Sequence, residues 1–294
     1  MTATNAIPKR QVTVGVLALQ GAFSEHIQLL RLAIASLRAR KVNDAAAVDW
    51  ACIEVRTPAE LATCDALILP GGESTTMSLV AERSGMLEPL RDFVKVQRKP
   101  TWGTCAGLIL LAESANRTKK GGQELIGGLD VRVSRNHFGR QTESFTADLD
   151  LPFLRSAQGV ETQTTEKPFP SVFIRAPVVE KLLQHTDGIQ AEEAAKEETI
   201  VAPSKVPKDD VARAAFDAHV ETMARLPGRA KALGKSGVTA SEEGEDGDII
   251  AVRQGNVFGT SFHPELTGDS RIHVWWLEEV LAALDRRQAL ALRT

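Results

Sequence analysis

Val12-Thr13-Val14-Gly15-Val16-Leu17-Ala18-Leu19-Gln20-Gly21-Ala22-Phe23-Ser24 begins as a short apolar run rich in β-branched residues and breaks at a glycine turn. Such a run predicts a strand buried on both faces, the kind found in parallel sheets. From Ser24, a residue type suited to capping a helix, Ile27, Leu30, Ile34 and Leu37 recur every three or four positions. That period predicts a helix with one apolar face.

The same unit recurs outward from this stretch. A strand is predicted near Ala51 to Val55, and another at Ala66 to Leu69, closed by Pro70-Gly71-Gly72 and followed by a helix around Thr76 to Arg83. A helix over Leu87 to Gln97 leads to Thr101-Trp102-Gly103, which turns at Cys105 into a helix over Leu108 to Ala112. Repeated strand and helix units predict an α/β fold with a central, mostly parallel sheet flanked by helices. Sites in such sheets gather at the carboxyl ends of the strands.

Val131 to Pro177 reads as further strands joined by polar turns. From Gln190 the composition shifts to Ala, Glu, Lys and small polar residues, which predicts a charged, partly disordered insertion at 191–247 within a single domain spanning 1–294. Val211, Ala215, Phe216, Val220 and Met223 fit one amphipathic helix inside it. A hairpin follows, Ile249 to Arg253 and Val257 to Phe262 around Gln254-Gly255-Asn256, and delivers His263-Pro264-Glu265 at a strand end. In the closing helix Ile272, Trp276, Val280 and Leu284 repeat every fourth residue, so its tryptophans read as core.

A chain of 294 residues with 43% hydrophobic content can fill a substantial core. Its 35 basic and 38 acidic residues leave a net charge of −3, without the excess of a surface that tracks phosphates. Neither nucleic acid nor membrane is expected as a partner. No stretch reaches the roughly 20 apolar residues of a membrane span, and the first ten residues lack a secretory apolar core, so a cytoplasmic protein is expected. Three cysteines, Cys52, Cys64 and Cys105, form neither a disulfide framework nor a metal cluster.

Gly103-Thr104-Cys105-Ala106-Gly107, between a strand and a helix, is the thiol form of a nucleophile elbow. Its glycines leave room for neighbouring backbone, and the amino-terminal N–H groups of the following helix favour thiolate over thiol. The N–H of Ala106 is then the natural oxyanion donor, and that of Gly72, in a second glycine turn at the same sheet edge, a second one. Cys52 and Cys64 sit among apolar neighbours without flanking glycines and read as small core residues. Among six histidines, His26, His185, His219 and His273 read as solvated or core-satisfied, and His137 in its polar turn takes no role. His263 ends a strand, and Glu265 two residues on points to the same side of extended chain. Cys105, His263 and Glu265 thus make a set of nucleophile, base and orienting carboxylate.

Beyond these residues, six segments carry a resemblance: Leu19 to His26, Leu69-Pro70-Gly71-Gly72-Glu73-Ser74-Thr75-Thr76-Met77, Gly103 to Leu108, Arg135-Asn136-His137-Phe138-Gly139-Arg140-Gln141, Phe173-Ile174-Arg175-Ala176-Pro177 and Ser261 to Thr267. Together they resemble the class I glutamine amidotransferases, and within them the family of glutaminase subunits of pyridoxal 5′-phosphate synthase. The insertion resembles that of the longer eukaryotic, especially fungal, members.

The resemblance implies a three-layer glutaminase fold, hydrolysis of L-glutamine to L-glutamate and ammonia, and transfer of the ammonia to a separate synthase subunit in a hetero-oligomer. It implies no metal and no organic cofactor. Carried over by position, it assigns contacts with the substrate to Gly72, Glu73, Ser74, Arg135, Ile174 and Arg175. Physically, a free amino acid needs both an anion-binding donor set and an acceptor for its ammonium group. The alternatives are a glutaminase serving another amidotransferase, a cysteine peptidase or γ-glutamyl hydrolase on a related sheet, or an inactive scaffolding subunit.

Overall fold

Strand β1 (Arg10–Leu17) is the expected first strand, and β2 (Val48–Val55) runs parallel to it over its full length. The computed structural model describes residues 10–40, 48–116, 123–135, 144–156, 167–226 and 247–291. On its other side β1 pairs in parallel with β3 (Ala66–Leu69), β3 with β4 (Thr101–Thr104), and β4 with a late strand, β13 (Val257–Thr260). The order β2-β1-β3-β4-β13 is therefore a block of five parallel strands, as the alternating sequence pattern requires.

Between these strands run α1 (Phe23–Arg40), α2 (Pro58–Ala62), α3 (Ser74–Arg83), α4 (Leu87–Arg91) and α5 (Ala106–Leu111). The helix expected over Leu87 to Gln97 changes winding after Arg91, and Asp92–Val96 is a π-helical turn. Side chains of the central strands alternate between two cores. Ala66 and Ile68 of β3 face Ile27, Leu30 and Ile34 of α1 and the closing helix, whereas Leu67 and Leu69 face α3, α4 and α5. This is helix, sheet, helix: three layers, with the parallel strands covered on both faces.

The sheet continues beyond β13 in mainly antiparallel fashion. It incorporates β5 (Ala112–Asn116), β6 (Leu129–Ser134), β9 (Val178–Leu182), β10 (Thr199–Val201), β11 (Val220–Leu226) and β12 (Asp248–Gln254). A separate hairpin pairs β7 (Ser144–Leu149) with β8 (Phe169–Ile174). The short helices α6 (Pro152–Ser156) and α7 (Ala191–Ala194) accompany them, and α8 (Asp210–Phe216) precedes β11.

The segment from Ala191 does not stand apart where it is described. β10 pairs with β5 and β11 with β12, so residues 191–226 are stitched into the main sheet. The single helix expected over Val211 to Met223 is corrected here: α8 ends at Phe216, and Val220 and Met223 belong to β11. Apolar spacing alone cannot tell a helix running on from a strand whose alternate residues also face inward. Residues 227–246 of the expected insertion lie outside the described residues.

The closing helix α9 (Arg271–Ala291) packs against α1 and buries Ile272, Trp276 and Val280 of the four-residue repeat, with Leu284 partly buried and Trp275, outside the repeat, also in the core. Truncating a buried aromatic of this kind to alanine costs about 3–5 kcal/mol. Among the described residues, no helix is long and apolar enough to cross a membrane.

Candidate active site

Register places the carboxyl ends of the parallel strands side by side. Leu69 of β3 is level with Gly103 of β4, and Thr104 of β4 with Thr260 of β13. Three loops leave this edge together: Pro70–Glu73 after β3, the turn at Cys105 after β4, and Ser261–Glu265 after β13. A fourth, Ala18–Ala22 after β1, joins them through the Ala22 N–H, which donates to the Gly71 carbonyl at 3.0 Å.

Cys105 sits at φ 48°, ψ −102°, in the left-handed half of backbone space, and α5 begins at the next residue. A non-glycine residue held there stores strain, as the elbow reading expects. The flanking glycines are obligatory for a steric reason. A Cβ on Gly107 would lie 2.1 Å from the Leu69 carbonyl oxygen, and one on Gly103 would lie 2.5 Å from the Gly107 carbonyl carbon. Cys105 is buried apart from a small exposed fraction, its N–H donates to Thr260 O at 2.8 Å, and its Sγ lies 3.9 Å from the Ile174 carbonyl oxygen. Ala106 is the first residue of α5, so its N–H has no intrahelical acceptor.

His263 is anchored by its own backbone, whose N–H donates to Val172 O at 2.8 Å across an isolated bridge to β8. Its Nδ1 contacts Glu265 Oε1 at 2.7 Å, which leaves the other ring nitrogen for the sulfur. Burial by itself disfavours the imidazolium, yet the hydrogen bonds and charges of Cys105 and Glu265 outweigh it and raise the pKa of His263 to about 10. The carboxyl of Glu265 is buried, which would raise its pKa, but the neighbouring His26 and His263 hold it below the ordinary value. Burial pushes the thiols of Cys52 and Cys64 up to about 11, Cys64 lying in one core and Cys52 partly buried against the other.

The expected substrate contacts fall into two groups. Arg135 is buried, and its Nη2 donates to Ser74 Oγ at 3.1 Å and Thr75 Oγ1 at 2.8 Å, so guanidinium and hydroxyls form one cluster beside the second glycine turn. Ile174 and Arg175 arrive from the end of β8, with Arg175 at φ 46°. Gly72 is exposed in the turn itself. Glu73 caps α3, its carboxylate accepting from Thr75 N at 3.2 Å and Thr76 N at 2.7 Å. These bonds outweigh its desolvation and hold its carboxyl below the usual range. The carboxylate of Glu73 is therefore turned toward its own helix, while its backbone faces the turn. Asn136 and His137 to Gln141 lie outside the described residues.

Four participants escaped the sequence reading. Gln20 Oε1 accepts the Glu73 N–H at 2.8 Å and supports the glycine turn from beneath. Gln123 Oε1 accepts from the Ser74 and Thr75 hydroxyls at 3.4 and 3.3 Å. His26 and His273, fully buried on α1 and α9, contact each other at 3.0 Å, and His26 reaches Glu265. The only signal was a histidine falling in the apolar row Leu30, Ala33, Leu37 of α1, where a neutral buried ring is the ordinary reading.

Known proteins of similar sequence narrow the chemistry. A family model described as the SNO glutamine amidotransferase family matches residues 16–212 and 210–282. The chain is 40% identical over 267 residues to a probable pyridoxal 5′-phosphate synthase subunit of Arabidopsis thaliana, covering 91% of this chain and 85% of that protein. It is 39% identical to a pyridoxal 5′-phosphate synthase subunit of Streptomyces coelicolor, with 92% and 94% covered. Its identity to one of Saccharomyces cerevisiae is 36%, with 93% and 95% covered. A crystal structure of a glutamine amidotransferase superposes with a TM-score of 0.56 at 32% identity, over 91% of this chain and 98% of that one. The chain belongs to the SNO glutamine amidotransferase family.

Proposed function

We propose that this chain hydrolyses L-glutamine to L-glutamate and ammonia as the glutaminase subunit of a pyridoxal 5′-phosphate synthase, passing the ammonia to a synthase subunit. The observation that carries the chemistry is the pairing, on adjacent parallel strands, of Cys105 in its strained turn with His263, whose Nδ1 lies 2.7 Å from Glu265. Relatives from a plant, a bacterium and a yeast, each named as a pyridoxal 5′-phosphate synthase subunit, support the biological setting.

In this reading the Cys105 thiolate attacks the side-chain amide carbon of glutamine. The carbonyl π electrons move onto oxygen, and the N–H groups of Gly72 and Ala106 stabilise the oxyanion. The His263 imidazolium gives its proton to the departing nitrogen, the C–N bond breaks, and ammonia leaves a thioester on Cys105. Neutral His263 then takes a proton from water as the water oxygen attacks the thioester. Collapse of that adduct breaks the C–S bond, releases glutamate and restores the thiolate–imidazolium pair. Throughout, Glu265 fixes the ring and stabilises its cationic form. Arg135, with Ser74 and Thr75, supplies the donor set for the substrate carboxylate, and Ile174, whose carbonyl oxygen lies 3.9 Å from Cys105 Sγ, contacts the substrate together with Arg175.

The test is ammonia release from glutamine by the purified chain, alone and with a pyridoxal 5′-phosphate synthase subunit, compared with Cys105→Ala. Glutamine-dependent ammonia that rises with the partner and vanishes in Cys105→Ala is expected. Wild-type release by Cys105→Ala would overturn the reading.

A further inference from the structure

Glu265 Oε1 is taken by His263, but Oε2 is buried and has no hydrogen-bonding partner among the described residues. The polar group that faces it is His26, whose Nε2 lies 3.4 Å from Oε2 and 3.2 Å from Thr104 Oγ1. His26 Nδ1 lies in turn 3.0 Å from His273 Nε2. Trp102 wedges against both rings, edge-on at 5.6 Å from His26 and 4.9 Å from His273 between ring centroids.

The proton positions in this chain follow from hydrogen-bond accounting. His273 Nδ1 is buried without a partner. A neutral histidine carries one N–H, and in folded proteins a buried N–H left without an acceptor is rarer than an acceptor lone pair left without a donor. His273 must then hold its proton on Nε2 and donate to His26 Nδ1. That leaves His26 as the Nε2–H tautomer, with its N–H directed to Thr104 and Glu265. Desolvation keeps both rings neutral, lowering each pKa to about 3.

We propose that His26, locked in this tautomer by His273, is a positioning residue that presents the positive end of its N–H dipole to the second oxygen of Glu265 and so holds the carboxylate that orients His263. It touches neither substrate nor sulfur and acts through Glu265. The proposal rests on the reading of Cys105, His263 and Glu265 as the catalytic set.

Glutaminase kinetics in the complex with the synthase subunit separate this role from simple packing. Losing the N–H dipole that faces a buried carboxylate should lower kcat by about 10-fold or more in His26→Phe, with KM for glutamine unchanged. His26→Gln, whose side-chain nitrogen can occupy the place of Nε2, should recover most of that loss. The groups facing His26 are Glu265, His273 and, farther off, His263, and those facing Glu265 are His26 and His263. Removing the N–H leaves the Glu265 anion less stabilised, so the acid limb of the kcat profile should move to higher pH in His26→Phe only. Equal losses in the Phe and Gln variants with an unmoved profile would overturn the proposal.

Should His26→Phe fail to fold, the wild-type chain still decides. In protein labelled with 15N-histidine, His26 and His273 should both give neutral Nε2–H signals at pH 7, and an Nδ1–H or doubly protonated His26 would sink the assignment. Cys105→Ala serves as the separate control: if it kept full activity, the catalytic reading would fail whatever tautomer His26 shows.

Discussion

Gly71 lies flat against the imidazole of His263: a Cβ placed on it would stand 2.2 Å from Cε1 and 2.5 Å from Nδ1. The first glycine of the Pro70-Gly71-Gly72 turn is thus the wall that sets where the histidine ring rests. Gly71→Ala must push the ring away from Cys105, Glu265 or both. Because a side chain, not backbone, takes the displacement, the fold should survive. A shift on the order of 1 Å can cost roughly 100-fold in rate, so kcat with glutamine should fall by about that factor while the circular dichroism spectrum stays that of the wild type.

Arg135 joins Ser74 and Thr75 in one buried cluster. If the cluster receives the carboxylate of glutamine, Arg135→Met removes that donor and leaves Cys105 untouched. The expected result is a rise in KM for glutamine of about tenfold or more, with a smaller change in kcat. Steady-state ammonia release across glutamine concentrations checks it. An unchanged KM would remove Arg135 from the site.

The buried histidines make stability depend on pH with a definite sign. His26 and His273 have folded pKa values lowered from 6.5 to about 3. Below pH 6.5 the unfolded chain takes up protons that the folded chain refuses, so stability is fully present above that value and drains away as pH falls toward 3. At pH 5 the loss is roughly 2 kcal/mol for each ring. His263, with a raised pKa, adds nothing to this slope, since its contribution is complete below 6.5 and is lost only as pH climbs toward about 10. Urea denaturation at pH 7 and pH 5 measures the drop, which His273→Leu should cut by about half.

Lys95, on the π-helical turn, and Glu113, on β5, form an ion pair of 2.8 Å with both side chains buried. Lys95 Nζ also donates to Pro203 O at 2.7 Å, and Glu113 Oε1 accepts the Gly128 N–H at 2.8 Å. Burial raises the Glu113 carboxyl even with its partner present. Lys95→Met strands that carboxyl, and a loss of about 3–5 kcal/mol is expected. A lower urea midpoint at constant slope would register it.

What could be read directly from the chain were the features of short range. Val12–Leu19, Ala66–Leu69 and Thr101–Gly103 are apolar runs ended by glycine turns, and that pattern alone implies parallel strands carrying loops at one edge. Cys105 between glycines, and His263 two residues before Glu265, follow from local geometry, because a strained turn and an extended dipeptide are set within a few residues. The helix over Val211 to Met223 failed at the same range. Its apolar spacing suits both the α8 helix and the β11 strand, and only pairing with β12 separates them.

Tertiary structure alone decided which distant residues complete the site. His26 and His273 are 247 positions apart in sequence, and they meet because α1 and α9 pack on the same face of the sheet. Gln20, Gln123 and Arg135 converge on Glu73, Ser74 and Thr75 after the glycine turn from three loops far apart in the chain. No periodicity encodes such meetings: a buried histidine on an apolar helix face looks the same in sequence whether it faces a leucine or the carboxylate of Glu265. Local sequence was enough for the strand ends, the glycine turns and the positions of Cys105, His263 and Glu265 on one sheet edge, because each is set within a few residues. Packing decided what holds those residues in place, since contacts between residues far apart in the chain exist only once the layers have closed.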